Sequence, residues 1–130
     1  MSETLNICGL TIERGTKLRT YLPVPDTNVK IPLTIINGEN DGPTLLITAG
    51  IHGGEYPGIA AAMELGRDIE PEHVTGCLIM MHPVNIQGFW ARREMIVPED
   101  GKNLNRVFPG DPTGTLADKT AYLILSLIHI

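Results

Sequence analysis

His52 and Glu55 place an imidazole and a carboxylate three residues apart in Gly50-Ile51-His52-Gly53-Gly54-Glu55-Tyr56-Pro57-Gly58, directly after an apolar run. Zinc takes a neutral imidazole nitrogen and a carboxylate oxygen, each at roughly 2.0–2.2 Å. Two histidines and one carboxylate around an open fourth position make the hydrolytic pattern. Two of those three donors are visible here, and the glycines let the backbone fold so that both side chains converge. The competing use of the same residues is structural. A histidine can close a loop and a glutamate can open a helix, where its charge suits the dipole. For an isolated motif this short, that use is the commoner one.

A second polar cluster runs Asp100-Gly101-Lys102-Asn103-Leu104-Asn105-Arg106-Val107-Phe108-Pro109-Gly110 and is too polar for a strand. Its adjacent Asn105 and Arg106 can offer an amide and a guanidinium to one small volume. Arginine grips a carboxylate through two parallel hydrogen bonds. Taken alone, the cluster reads as a solvated loop with a turn at Asp100-Gly101.

The elements that must position these residues are legible in outline. Thr44 to Ala49 is short, apolar and β-branched between Asp41-Gly42-Pro43 and Gly50, and reads as a buried strand. A helix is expected over Pro57 to Asp68, with the proline in its first turn, followed by a second apolar strand from Gly76 to His82. Strand, helix and strand in this order form a right-handed crossover, the unit of a mostly parallel sheet. His52 and Glu55 then lie at the carboxyl end of a strand, where open α/β sheets build their sites. The expected fold class is α/β: a mixed, mostly parallel sheet with flanking helices, preceded by short antiparallel strands at Thr4 to Ile7, Leu18 to Leu22 and Leu33 to Ile36. A last helix from Leu116 to Ile130 turns almost wholly apolar after Tyr122 and so expects to be covered.

Three segments in this order resemble the succinylglutamate desuccinylase and aspartoacylase family: residues 50–58, His82-Pro83-Val84-Asn85 leading to Phe89-Trp90-Ala91-Arg92-Arg93, and residues 100–110. The likeness spans roughly Leu33 to Leu123. It implies a zinc-dependent amide hydrolase with a metallocarboxypeptidase-like fold, of which residues 1–130 are a single domain, the N-terminal part of the catalytic domain. It implies His52 and Glu55 as two ligands of one zinc ion, with Asn105 and Arg106 binding the carboxylate of a small N-acylated substrate. One of Arg92 and Arg93 would polarise the scissile carbonyl, with Arg93 favoured. A fixed cation in a water-poor site suits that task. The family's third zinc ligand and its general-base glutamate, which moves a proton from water to the leaving amine, are expected beyond residue 130. His129 does not match the family's third ligand in its surroundings, and His82 stands where the family more often has asparagine.

The readings left open are a deacylase of N-acyl amino acids, a carboxypeptidase-like peptidase, and an inactive fragment with weak metal binding. The last six residues, Leu125 to Ile130, are what the codons CTG TCT CTT ATA CAC ATC would encode, and that string is a transposon end used to build sequencing libraries. A non-native tail is therefore expected at 125–130.

Composition narrows the partners. A net charge of −5 with only 5% aromatic residues and no basic stripe argues against nucleic acid. No run reaches the roughly 18 apolar residues of a membrane span, and the N-terminus lacks signal-peptide regions, so no membrane partner and a cytoplasmic location are expected. Cys8 and Cys77 have no paired spacing and read as reduced core thiols. His73 reads as a solvent-facing residue in a polar connector. The acyl group, the amine and the oligomeric state are open.

Overall fold

A computed structural model describes residues 4–128. The chain opens with an antiparallel hairpin of β1 (Thr4–Ile7) and β2 (Leu10–Glu13). β3 (Thr16–Pro23) and β4 (Lys30–Asn37) form a second hairpin, followed by β5 (Asn40–Thr48), α1 (Tyr56–Asp68) and β6 (Thr75–Met81). A short helix α2 (Ile86–Ala91) and a longer α3 (Leu116–Ile128) complete the chain, with 3-10 turns at Pro71–His73 and Leu104–Arg106.

The second sheet has the order β3-β4-β6-β5. β5 and β6 are parallel, joined by α1, whereas β4 is antiparallel to both β3 and β6. The sheet is therefore mixed, and the expected crossover supplies its parallel pair. The strands expected at Leu18 to Leu22 and Leu33 to Ile36 lie in β3 and β4, inside this sheet rather than ahead of it. The reason is visible in β4, where Leu33, Thr34, Ile35 and Ile36 are all buried. A strand apolar on both faces needs a neighbour on each side and cover above and below.

On one face, Ile31, Leu33, Ile35, Ile79 and Met81 pack with the first hairpin and with Ala117, Ala121, Ile124 and Leu127 of α3. Cover for the apolar end of the last helix thus comes from this chain's own sheet and first hairpin rather than from further elements, and Ile128 stays exposed. The helix runs without a break into the segment expected to be non-native. His129 lies outside the described residues. On the other face, Ile36 and Met80 form a smaller cluster. The C-terminal end of α1 is fixed by Lys17, whose Nζ donates to the carbonyls of Gly66, Arg67 and Ile69 at 3.1, 3.0 and 2.8 Å and pairs with Glu70. A cation there satisfies carbonyls that lack intrahelical partners.

Two expectations are corrected. Thr44 to Ala49 does enter a strand, but β5 ends the sheet, and Leu45 is 54% exposed. Apolar sequence marked it as a strand without revealing which neighbour covers it. Cys8 is exposed, because it sits in the turn of the first hairpin rather than in a strand, while Cys77 is buried and its thiol is pushed up to about 11 by desolvation.

Candidate active site

Two loops leave the sheet side by side, one after β5 and one after β6, and they pack closely. Gly50 has φ +74°, and a Cβ there would lie 2.6 Å from Pro83 Cβ. A Cβ on Gly53 would lie 2.4 Å from the backbone nitrogen of Phe89. Only glycine lets the His52 loop approach α2 this closely. The loops are stitched by backbone hydrogen bonds: Val84 N–H to Ala49, Asn85 N–H to Gly50, and Gly54 N–H to Glu94 at 2.8, 2.9 and 3.2 Å. Glu55 N–H closes the turn onto His52 C=O at 3.1 Å, and Glu55 is the residue from which α1 starts. Its side chain makes no capping hydrogen bond, so the carboxylate is not consumed by the helix.

That carboxylate faces the imidazole, with Glu55 Oε1 3.3 Å from His52 Nδ1. The other ring nitrogen, Nε2, is 2.9 Å from Asn103 Oδ1. Asn103 Oδ1 also accepts Asn105 N–H at 3.0 Å, which identifies it as the acceptor. His52 Nε2 must therefore donate, and in the neutral ring Nδ1 carries the lone pair. In that tautomer two lone-pair-bearing atoms converge, an arrangement that suits a cation. Donors at roughly 2.0–2.2 Å in a tetrahedron lie about 3.3–3.6 Å apart, so the pair fits two ligands of one zinc ion. The backing hydrogen bond from the far nitrogen is the usual support of a metal-bound histidine. Among the described residues there is no group of three or more histidine, cysteine, aspartate or glutamate side chains able to hold a metal.

Asn103 is the residue that the sequence reading passed over, and it ties the two motifs together. It is the N-cap of the Leu104–Arg106 turn. Leu104 anchors that turn in the main core. The preceding loop is held to α3: Asp100 accepts Lys102 N–H at 3.0 Å and Ala117 N–H at 2.8 Å, and Lys102 Nζ donates to Asp118 at 2.6 Å. Asp118 also accepts from the backbone and hydroxyl of Thr115, both at 3.0 Å. These contacts hold the Asp118 carboxyl below and the Lys102 ammonium above their ordinary ranges, the hydrogen bond between them being the largest cause. The local signal was present as Asn103 two residues before Asn105, but its partner lies 51 residues away.

Asn105 and Arg106 are both exposed on the turn. Arg93 is exposed just past α2, its N–H bonded to Gly88 C=O at 2.9 Å, and its neighbour Glu94 accepts from Gly54. Arg92, with φ +57°, closes α2 and lines a surface groove with Tyr56, Met63 and Trp90. Asn85 fixes this segment from below: its Oδ1 accepts Gly88 N–H and its Nδ2 donates to Ile96 C=O, both at 3.0 Å. His82 is 5% exposed and shares a 2.8 Å hydrogen bond between Nε2 and Thr34 Oγ1. Burial, with a smaller effect of Arg19, lowers its pKa. His73 is exposed and accepts Glu70 N–H at its own 3-10 turn.

The profile of the succinylglutamate desuccinylase/aspartoacylase catalytic domain matches residues 41–127. This chain belongs to that family. The N-alpha-acetyl-L-2,4-diaminobutyric acid deacetylase of Halomonas elongata is 43% identical over 108 residues, covering 78% of this chain and 31% of that protein. A succinylglutamate desuccinylase/aspartoacylase structure from Rhodobacter sphaeroides superposes with a TM-score of 0.80 at 35% identity, over 98% of this chain and 40% of that one. The product-bound ectoine utilization protein EutE (DoeB) from Ruegeria pomeroyi gives 0.77 at 39% identity, over 84% of this chain and 35% of that one. The family chain thus spans between about 31% and 40% of the length of these relatives. No helix among the described residues is long and apolar enough to cross a membrane.

Proposed function

We propose that this family chain carries half of the metal centre and the carboxylate-binding turn of a zinc-dependent hydrolase. The reaction is cleavage of the amide bond of a small N-acyl amino acid. The named activity of the Halomonas elongata relative favours an acetylated diamino acid as the substrate class. The observation that carries the reading is the His52–Asn103 hydrogen bond, because it joins the paired donors to the turn bearing Asn105 and Arg106.

His52 Nδ1 and Glu55 Oε1 would hold the zinc, which when bound supplies Lewis acidity and an activated water at neutral pH. Asn103 keeps the His52 lone pair aimed at that point. Arg106 would grip the substrate carboxylate with Asn105 beside it, fixing the register of the scissile amide and lowering the entropy of its approach. Arg93 would meet the developing oxyanion. A glutamate outside residues 1–130 would move the proton to the leaving amine. The 130-residue chain on its own would bind metal weakly.

The test compares this chain with a version extended with the natural sequence after Ile124 to the length of the relatives. The longer protein is expected to release acetate from Nα-acetyl-2,4-diaminobutyrate with added zinc, and His52→Ala is expected to abolish the release. Hydrolysis that persists undiminished in His52→Ala, or that requires no metal, would refute the reading.

A further inference from the structure

We propose that the groove between β3, β4 and α2 is a binding site for a small aromatic carboxylate. The groove encloses about 980 Å³. None of His52, Glu55, Arg93, Asn105 and Arg106 lines it, so the claim stands apart from the hydrolase reading. Its charge is one-sided. Arg19 and Lys30 line it, whereas no aspartate or glutamate does, in a chain with 15 acidic residues against 10 lysines and arginines. Arg19 is exposed and makes no hydrogen bond or ion pair with any described residue. Its planar guanidinium is the group that takes a carboxylate through two parallel hydrogen bonds. The walls are apolar and aromatic: Tyr21 is 60% exposed, Met63 46% and Trp90 72%. Phe89 stands edge-on to Trp90 with ring centroids 5.3 Å apart and so supports the indole as a wall.

The floor carries an unanswered donor. Arg19 lies opposite Thr34 in the β3–β4 register, so both project from the same face of the sheet, and Tyr21 two residues on shares it. Thr34 is buried beneath α1, where a Cβ on Gly66 would lie 2.9 Å from its Oγ1. Its hydroxyl has one hydrogen-bond partner among the described residues, His82 Nε2. The hydroxyl proton therefore goes to Nε2, and the N–H of the neutral ring falls on Nδ1. Nδ1 is buried without a partner among the described residues, and His82 lines the groove. A buried donor without an acceptor is destabilising, and a ligand oxygen that reaches it restores the missing bond. Arg19 is near enough that its charge, after burial, is the other influence lowering the His82 pKa. One carboxylate would thus accept from Arg19 and His82 while its ring packs against Tyr21 and Trp90.

Trp90 is the chain's only tryptophan, so its fluorescence reports on the groove directly. Titrating 3-phenylpropionate into the 130-residue chain without added metal is expected to change that fluorescence saturably, with a Kd of about 1 mM. Propionate lacks the ring and 3-phenylpropanamide lacks the charge, and each is expected to bind at least about tenfold more weakly. Arg19→Gln should weaken binding of 3-phenylpropionate at least about tenfold, whereas Arg106→Gln should leave it within about twofold. NMR spectra of the imidazole N–H groups give a second reading that needs no variant: the His82 Nδ1–H signal should shift as the probe saturates. Absence of saturation below about 20 mM overturns the proposal. So does binding of the amide as tight as that of the acid, or undiminished binding in Arg19→Gln. Loss in Arg106→Gln would place the probe at the carboxylate-binding turn, and an unmoved His82 signal would place it away from the groove floor; either result refutes the assignment.

Discussion

Asn103→Ala removes one oxygen that serves two donors, His52 Nε2–H at 2.9 Å and Asn105 N–H at 3.0 Å. Losing a helix-cap acceptor costs about 1 kcal/mol. A neutral hydrogen bond to a partly buried imidazole is worth about another 1 kcal/mol. The sum of roughly 2 kcal/mol corresponds to a fall in Tm of about 8 °C for a chain of this size. The larger effect should fall on metal binding, because a histidine freed at Nε2 loses both its tautomer preference and its orientation. Removing such backing partners costs about 10- to 100-fold in metal affinity. Zinc titration calorimetry on Asn103→Ala and Asn103→Asp separates the two effects. The aspartate keeps an acceptor for both donors, so its zinc affinity should match or exceed that of the parent while the alanine variant falls at least tenfold. If Asn103→Ala binds zinc within twofold of the parent chain, Asn103 does not position His52 and the linkage between the two motifs is wrong.

Leu104→Ala opens a cavity under the Asn103–Arg106 turn, and urea unfolding should show a loss of about 2–5 kcal/mol. Asp118 has a folded pKa below its ordinary value, so its stabilisation is complete above the unfolded carboxylate pKa of 3.8 and is lost as pH falls through the lowered folded value. Asp118→Asn should therefore flatten the acid limb of Tm against pH below about 4, and an unchanged limb would show that the Lys102 and Thr115 contacts do not form in solution. His82 is likewise held neutral in the fold, so the unfolded chain takes up its proton first and stability should decline as pH drops below 6.5. His82→Gln should reduce that decline in urea titrations run between pH 7.5 and 5, whereas a slope equal to that of the parent would exclude His82 as its source.

Much of the site was legible because its motifs are local. His52 and Glu55 sit in one turn, and Asn105 and Arg106 in another, so each pair could be quoted from a short motif, and the resemblance of the motifs in order nominated them together. The strand of residues 44–49, the helix ending at Asp68 and the strand of residues 76–82 were marked by apolar runs between glycines and prolines, and the helix and the second strand were found to within a residue. The short helix Ile86–Ala91 escaped notice because six residues hold too little periodicity to separate helix from loop. Asn103, Asp100 and Asn85 escaped because each acts through a partner that the fold delivers. An asparagine in a polar loop carries no mark of the histidine it will hold.

By itself the sequence determined the chemistry available: which side chains can ligate a metal, which can grip a carboxylate, and that a crossover unit presents the first pair at the end of a strand. Spacing along the chain encodes those features, because strands and turns have fixed rises and the donors lie within one turn of each other. Only the tertiary structure decided which nitrogen of His52 faces Glu55, since that depends on an acceptor 51 residues away. It also decided that β5, which looked like a buried strand, forms an open edge of the described fold. Apolar character shows that a strand needs cover, but what provides the cover is settled by the order in which strands pair, and pairing is a long-range property that a local pattern does not carry.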